Sequence, residues 1–323
     1  MSQLETTLAL VAGALSLCGS SFIVVSHFRF KELRASTMNT LVFLVAIADL
    51  FSSASYIESF GIDATETDTL MCKIQGVQQY YFEAVAVLGT SAISTYLIRI
   101  FVFSSPLAKR RGQQDKKLIR RLGLFMYVVP LFPAAYIYAQ QGFGYSTLWC
   151  WVECDLEYFP QGCVWRQTLF YYELYGVFLY NAATYIVVVV LLRRVNMGGE
   201  RQEYNTRVAR KLSLYLLAFV ICWTAPCVNR LLQSTVPDFS NQYLDLAQAF
   251  TNPLMGFLDA VVYGSSSGAW GRWKRSKRGS KWPDDVVLRY SNRLRKNNQE
   301  PLEGVRTAPS ASVHGPIPTH AWV

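Results

Sequence analysis

Charge is scarce and clustered. Lys, Arg, Asp and Glu make up 16% of the 323 residues, and four stretches, residues 6–28, 122–152, 174–192 and 212–229, contain none of them. With 51% hydrophobic residues the chain is too apolar for a disordered protein. A single soluble core would not need this many uncharged runs separated by short basic segments, whereas each run is long enough to cross hydrocarbon as a helix. Histidine is rarer still: His27, His314 and His320 are the only ones, and none belongs to a catalytic or metal-ligating cluster. That argues against a membrane enzyme and gives no reason to expect a metal or cofactor. No duplicated half or repeated pore segment is present, which weakens the alternative of a transporter or channel lined by intramembrane acids. Residues 246–263 contain no Lys, so a retinal Schiff base has no seat there. No Asn-x-Ser/Thr site occurs in the expected outer segments, and no basic n-region precedes Leu8, so the first apolar segment reads as a retained span.

Three further segments, residues 38–60, 74–103 and 246–263, carry only isolated charges, which raises the expected number of spans from four to seven. The run from residue 122 is longer than one span needs. Its later part has the Gly and polar content of a loop, so the fourth helix is expected to stop near Ala139. All Lys and Arg except Lys73, Arg99, Arg166 and Arg230 lie at 29–34, 109–121, 193–211 or from Arg272 onward, while the alternate segments, around 63–68, 153–157 and Asp238, are mainly acidic. An odd number of spans fits both facts, with the amino terminus outside and the carboxyl terminus cytosolic. The net charge of +9 then describes a membrane-facing inner surface, and no nucleic-acid partner is needed to explain it. Trp270 and Trp273 interleave with Arg272, Lys274, Arg275, Lys277 and Arg278, a pattern expected of an interfacial amphipathic helix near 266–278. Beyond it, residues 279–323 read as a disordered cytosolic tail in which Ser291, Thr307 and Ser310 are candidate phosphorylation sites for kinase and arrestin-type partners.

Cys18, Cys222 and Cys227 fall inside expected spans and read as small buried apolar residues. Cys72, Cys150, Cys154 and Cys163 fall on the oxidising side. A Cys72–Cys150 bond would tie the loop after the fourth span across the helix mouth and leave Cys154 and Cys163 to close a nine-residue excursion, although other pairings remain open.

Polar residues inside the spans are the candidates for function. Gln79, Glu83, Thr90 and Ser94 recur at helical spacing on the third span, so one face should point into the bundle. Glu83 there is either a pocket residue or a structural hydrogen-bonding acid. Asp49 interrupts the second span, and Asp245, Asn252, Asp259 and Tyr263 share a stripe of the seventh. Asp49 and Asp259 would share a proton, hold a small cation, or pack statically. Pro226 and Pro253 should bend the sixth and seventh helices. Trp223 beside the first bend is a packing switch or an ordinary core aromatic. Arg230, with Lys73 and Arg166, supplies the positive charge of the outer half; it can bind an anionic group or pair with Glu173 or Asp245. Tyr96 and Arg99 end the third span at the inner side, where they are placed to close a cytosolic gate. The basic inner segments can attract acidic membrane lipids or receive a partner helix.

This constellation resembles the cyclic-AMP-receptor-like family of G-protein-coupled receptors. The resemblance rests on Cys72 with Trp149-Cys150-Trp151, Asp49 within Ala-Ile-Ala-Asp-Leu, Cys222-Trp223 before Asn229-Arg230, Asn252-Pro253 through Gly256-Phe257-Leu258-Asp259, and Val262-Tyr263-Gly264. It covers about residues 8–278. Two residues separate Trp223 from Pro226, and Ile98 and Ile100 flank Arg99, so the rhodopsin-like versions of these motifs are not reproduced. The resemblance implies an all-α membrane protein, a seven-transmembrane bundle over residues 1–278, at the plasma membrane. An outer pocket would sense an extracellular ligand, and an opened cytosolic face would activate a heterotrimeric G protein. Lys73, Gln79, Glu83, Arg166, Glu173, Arg230 and Asp245 are then the ligand-pocket candidates. Asp49, Trp223, Pro226, Asn252, Pro253, Asp259 and Tyr263 are the candidates for transmission.

Overall fold

The computed structural model describes residues 3–61, 69–102, 108–146, 149–154, 161–194, 200–236 and 239–277. The acidic segment 63–68, Glu157, Asp238 and the tail from 278, with Ser291, Thr307 and Ser310, lie outside the described residues. In chain order the elements are α1 (Gln3–Arg29), α2 (Lys31–Arg34), α3 (Thr37–Glu58), α4 (Leu70–Val102), α5 (Ala108–Val128) and α6 (Leu131–Ala139). There follow β1 (Phe143–Ser146), β2 (Trp149–Val152), α7 (Gly162–Arg166), a π-helical turn (Gln167–Tyr171), α8 (Tyr172–Arg194), α9 (Glu200–Thr235), α10 (Gln242–Thr251), α11 (Met255–Ser267) and α12 (Ala269–Lys277).

Among the described residues six helices are long and apolar enough to cross a membrane: Gln3–Arg29, Thr37–Gly61, Leu70–Arg99, Asp115–Ala139, Gly162–Leu191 and Ala209–Thr235. The seventh expected segment is present but divided into α10 and α11. Pro253 has no N–H to offer the carbonyl of Ala249, so the ladder breaks after Asn252 and resumes at Met255. Pro130 acts in the same way between α5 and α6, and α6 ends at Ala139, where the composition turns polar. The molecule is an all-α membrane helix bundle, with one short hairpin as the sheet among the described residues.

The bundle is apolar outside and partly polar inside, the reverse of a water-soluble fold. Leu124, Phe132, Leu179, Ile186 and Val187 are exposed, while Ser16, Ser20, Asp49, Glu83, Asn181 and Asp259 are buried. Such a distribution suits helices surrounded by hydrocarbon, where close packing and interhelical hydrogen bonds hold the core. α1 shows the rule locally. Its inward stripe is Ala9, Ala12, Gly13, Ser16, Gly19, Ser20 and Ile23, small residues at helical spacing. Cys18 falls off that stripe and is exposed on the outward face, so the expectation of a buried residue holds for Cys222 and Cys227 but not for Cys18.

Small residues let α1, α3 and α11 touch. A Cβ added at Gly19 would meet the Gly256 carbonyl oxygen at 2.8 Å, and one added at Gly256 would meet the hydroxyls of Ser16 and Ser20 and, at 3.1 Å, the Cβ of Asp49. Gly256→Val should therefore lower stability by about 2 kcal/mol, because a branched side chain overpacks the contact. Thermal unfolding in detergent would check this; an unchanged midpoint would mean the helices have room to part. At the other end of α11, Gly268 adopts φ 72°, the left-handed conformation that ends a helix, and redirects the chain into α12. Trp270 of α12 stacks on Phe22 with ring centroids 4.4 Å apart, and Trp273 Nε1 donates to Ser26 Oγ at 2.8 Å, which ties α12 to α1.

Candidate functional site

The hairpin after α6 is an antiparallel pair with Phe143 opposite Val152 and Tyr145 opposite Cys150. Every residue of β2 is buried. Cys72–Cys150 holds it to the start of α4, and Cys154–Cys163 holds the following segment to α7. The Cys150 N–H also donates to Gln75 Oε1 at 2.8 Å. The hairpin thus forms a lid over the helix ends, with Trp149 packed edge-on to Tyr56 of α3 at 4.9 Å between centroids.

Beneath it a buried hydrogen-bond network joins α3, α4 and the break between α10 and α11. Gln75 Nε2 donates to the Ser55 carbonyl at 3.1 Å, and the Ser55 hydroxyl donates to Gln79 Oε1. Gln79 Nε2 donates to Glu83 Oε1 at 2.5 Å, and the Tyr56 hydroxyl donates to the same oxygen. Asn252 Nδ2 reaches it from the broken seventh segment, 3.3 Å from Glu83 Oε1 and 2.9 Å from the Tyr56 hydroxyl oxygen. Glu83 Oε1 is therefore the point at which α3, α4 and the α10–α11 break converge. Gln79, Glu83 and Asn252 were legible as inward-facing polar residues; Ser55, Tyr56 and Gln75 were not.

A second network binds the outer end of α9 to α10. Asn229 Nδ2 donates to Asp245 Oδ1 at 2.8 Å and to Gln248 Oε1 at 2.9 Å. Asp245 is thereby engaged, and Arg230 pairs with neither Asp245 nor Glu173. Instead Arg230 Nη1 donates to Gln233 Oε1 at 2.8 Å, and its guanidinium lies 5.9 Å from the centroid of the Tyr171 ring. Arg230 Nε and Glu173 Oε1 are both buried without a hydrogen-bond partner.

Two narrow cavities flank Trp223. The outer one, about 10 Å³, is lined by Glu83, Trp149, Trp151, Tyr171, Arg230 and Gln248 among others. The inner one, about 20 Å³, touches Asp49, Ser52, Thr90, Phe219 and Met255, and shares Glu83, Trp223 and Asn252 with the outer. Each has room for about one water molecule. The π-helical turn places Phe170 and Tyr171 together on the outer cavity, and Phe170 meets Trp223 at 6.4 Å between centroids. Of the ligand-pocket candidates, Glu83 and Arg230 line this cavity and Gln79 bonds to Glu83. Lys73, at the start of α4, does not line it. Arg166 lies outside it too, with Nη1 3.4 Å from Ser146 Oγ and 3.5 Å from the Val152 carbonyl, where it ties α7 to the hairpin.

Asp49, which lines the inner cavity, and Asp259 turn their carboxyls toward each other, with Asp49 Oδ2 and Asp259 Oδ1 both buried. Thr90 and Ser94 are used differently, bonding Asn181 of α8 at 2.7 and 2.6 Å. Tyr263 is fully buried and its hydroxyl has no partner. At the basic end Tyr96 is buried, Arg99 Nε lies 3.4 Å from Asp115 Oδ1 of α5, and Lys211 Nζ donates to the Ser266 carbonyl, so α4 is joined to α5 and α9 to α11.

Residues 1–270 match the family model described as slime mold cyclic AMP receptor. Among curated relatives, cyclic AMP receptor-like protein A of Dictyostelium discoideum is 25% identical over 80% of this chain and 63% of its own length. G-protein coupled receptor 1 of Arabidopsis thaliana is 27% identical over 79% of this chain and 76% of its own length. The ascaroside receptor GPR2 of Arthrobotrys oligospora is 23% identical over 80% and 87%. The chain thus spans rather less than two thirds of the first of these relatives. With the matched region running through the disulfide-tied lid, the Glu83 network and the broken seventh segment, the chain belongs to the slime mold cyclic AMP receptor family of G-protein-coupled receptors.

Proposed function

We propose that this protein is a plasma-membrane receptor with its amino terminus outside, which binds an extracellular ligand beneath the hairpin lid and activates a heterotrimeric G protein at its basic end. The observation that carries the reading is the outer cavity, where a cation with a free buried N–H, Arg230, stands among Trp149, Trp151, Phe170, Tyr171 and Trp223. Aromatic walls favour a flat apolar body, and the guanidinium favours an acceptor or anionic edge. Cyclic AMP, named for the relatives, has both features. Glu83 shares this cavity, with its Oε1 held by hydrogen bonds from Tyr56, Gln79 and Asn252.

A cavity of water size is too small for any such ligand, so the present packing is the closed one. Ligand would bind better to a conformation in which the outer ends of α9 and α10 swing apart, and that differential affinity is what shifts the population. Trp223, Glu83 and Asn252 line both cavities, and Asp49, on the inner one, faces Asp259, so polar groups run from the ligand cavity to the acid pair. The test is a ligand panel, cyclic AMP included, applied to intact cells with several G proteins as readout and with uptake and current measured alongside. Uptake or current without G-protein activation would defeat the proposal.

Arg99 and Asp115 would help hold the basic end shut. Asp115→Asn is expected to raise ligand-free G-protein activation about threefold while stability changes by less than about 1 kcal/mol, since the pair is partly exposed. Unchanged basal signalling at equal surface level would remove the gate assignment.

A further inference from the structure

We propose that the groove between the basic ends of α3 and α5 is a binding site for an anionic membrane phospholipid whose headgroup carries more than one phosphate. The groove encloses about 830 Å³, far more than either cavity beside Trp223. Arg34, from the end of α2, and Lys116, Arg120 and Arg121, from α5, line it. All four are exposed, and among the described residues none of them is paired with a carboxylate. The nearest acid along α5, Asp115, is engaged with Arg99 and is not part of the lining. Four cations converging without a protein anion form a site for a polyanion, and arginine suits phosphate because its fork can bond two oxygens at once.

The rest of the groove decides what kind of polyanion it takes. Leu44, Ile119 and Leu124 give it an apolar wall. At its base α3 and α5 close on each other: a Cβ on Gly123 would come 3.0 Å from Leu44 Cδ1, and the Tyr127 hydroxyl donates to the Leu44 carbonyl at 2.7 Å. From Leu124 a track of exposed apolar residues continues along α5 to Val128 and, beyond the Pro130 break, to Phe132 of α6. A soluble polyphosphate or an acidic protein loop would use the cations and leave this track bare. A phospholipid uses both, its phosphates on the basic rim and its acyl chains along the track. Basic pockets between membrane helices on the cytoplasmic side are suited to such headgroups. This inference requires only that the helices span a bilayer and stands whether or not the ligand reading is right.

The experiment is native mass spectrometry of the full chain, purified in detergent and offered equal amounts of phosphatidylcholine, phosphatidylinositol 4,5-bisphosphate and cholesterol. The intact protein should retain the bisphosphate lipid about tenfold over phosphatidylcholine. The triple variant Lys116→Gln, Arg120→Gln, Arg121→Gln should lose that preference. Lys31→Gln, Lys117→Gln, Lys274→Gln removes the same charge from exposed positions outside the lining and should keep it. Ala35→Trp, which fills the groove and leaves every cation in place, should also abolish retention. Equal loss in both triple variants would mean diffuse surface attraction and would overturn the site. So would retention that survives Ala35→Trp, or cholesterol outcompeting the bisphosphate lipid.

Discussion

Glu83→Leu should cost about 4 kcal/mol and lower the melting temperature by roughly 10 °C, whereas Glu83→Gln should cost only about 1 kcal/mol. The difference lies in what is left behind. Glu83 Oε1 accepts from Tyr56, Gln79 and Asn252, which come from two neighbouring helices and from one turn along its own helix. Leucine fills a similar volume but strands the Tyr56 and Gln79 donors in a buried site and leaves Asn252 only its bond to Tyr56, and each unpaired donor there forfeits its hydrogen bond without regaining water. Glutamine keeps a carbonyl oxygen at the same distance from the backbone and can accept from the same groups. If the Leu and Gln variants melted together, the carboxyl would not anchor the network. A second reading of the same pair concerns signalling. Glu83 lines both cavities, so in folded, surface-expressed Glu83→Gln the loss of charge should change ligand response while the fold is retained.

How far the site could be read in advance depended on whether a residue's role was local or required knowing the register of two helices. Uncharged runs marked the spans because hydrocarbon excludes charge whatever the neighbours are, and the end of the fourth at Ala139 followed from composition. Gln79 and Glu83 were visible because two strongly polar side chains four residues apart in an apolar helix need an interior. Ser55 and Tyr56 gave no such signal. Serine and tyrosine are ordinary in membrane helices, and their importance arises only once α3 is set against α4 so that both face the Gln79–Glu83 stripe. Asn181 is a similar case, with its amide needed only because Thr90 and Ser94 lie across from it.

Register also settled the charges of the outer half. Sequence left Arg230 free to pair with Glu173 or Asp245; the turn of α9 that brings Asn229 to Asp245 sends Arg230 toward Tyr171 instead. Pro253 was expected to bend a helix and in fact divides it, because Asn252 is held by Tyr56 and Glu83 on the inward side while the Ala249 carbonyl loses its donor. The β hairpin was invisible for a different reason. Its strands are four residues each, too short for an alternating pattern to emerge, and their pairing depends on the Cys72–Cys150 bond and on Gln75.

Arg230→Met should raise the ligand concentration for half-maximal G-protein activation about 100-fold, for whichever anionic or acceptor-edged ligand the panel identifies, with surface level unchanged. The guanidinium is half-buried, its Nε has no partner, and its one hydrogen bond goes to the neutral side chain of Gln233, so its charge is not spent within the protein. Methionine keeps an unbranched apolar stem and removes the guanidinium, with its charge, its donors and its contact with the Tyr171 ring. Arg230→Lys should lie between, about tenfold weaker than the native receptor, because a point charge replaces the fork and its stacking on the aromatic face. Gln233→Leu is the control: it deletes the internal hydrogen bond of Arg230, and a ligand that takes over the guanidinium should feel it by less than about threefold. A ligand-contact role predicts that Met, Lys and Leu variants separate in that order. A merely structural role predicts instead that Gln233→Leu and Arg230→Met impair the receptor together, through lower surface expression at unaltered potency.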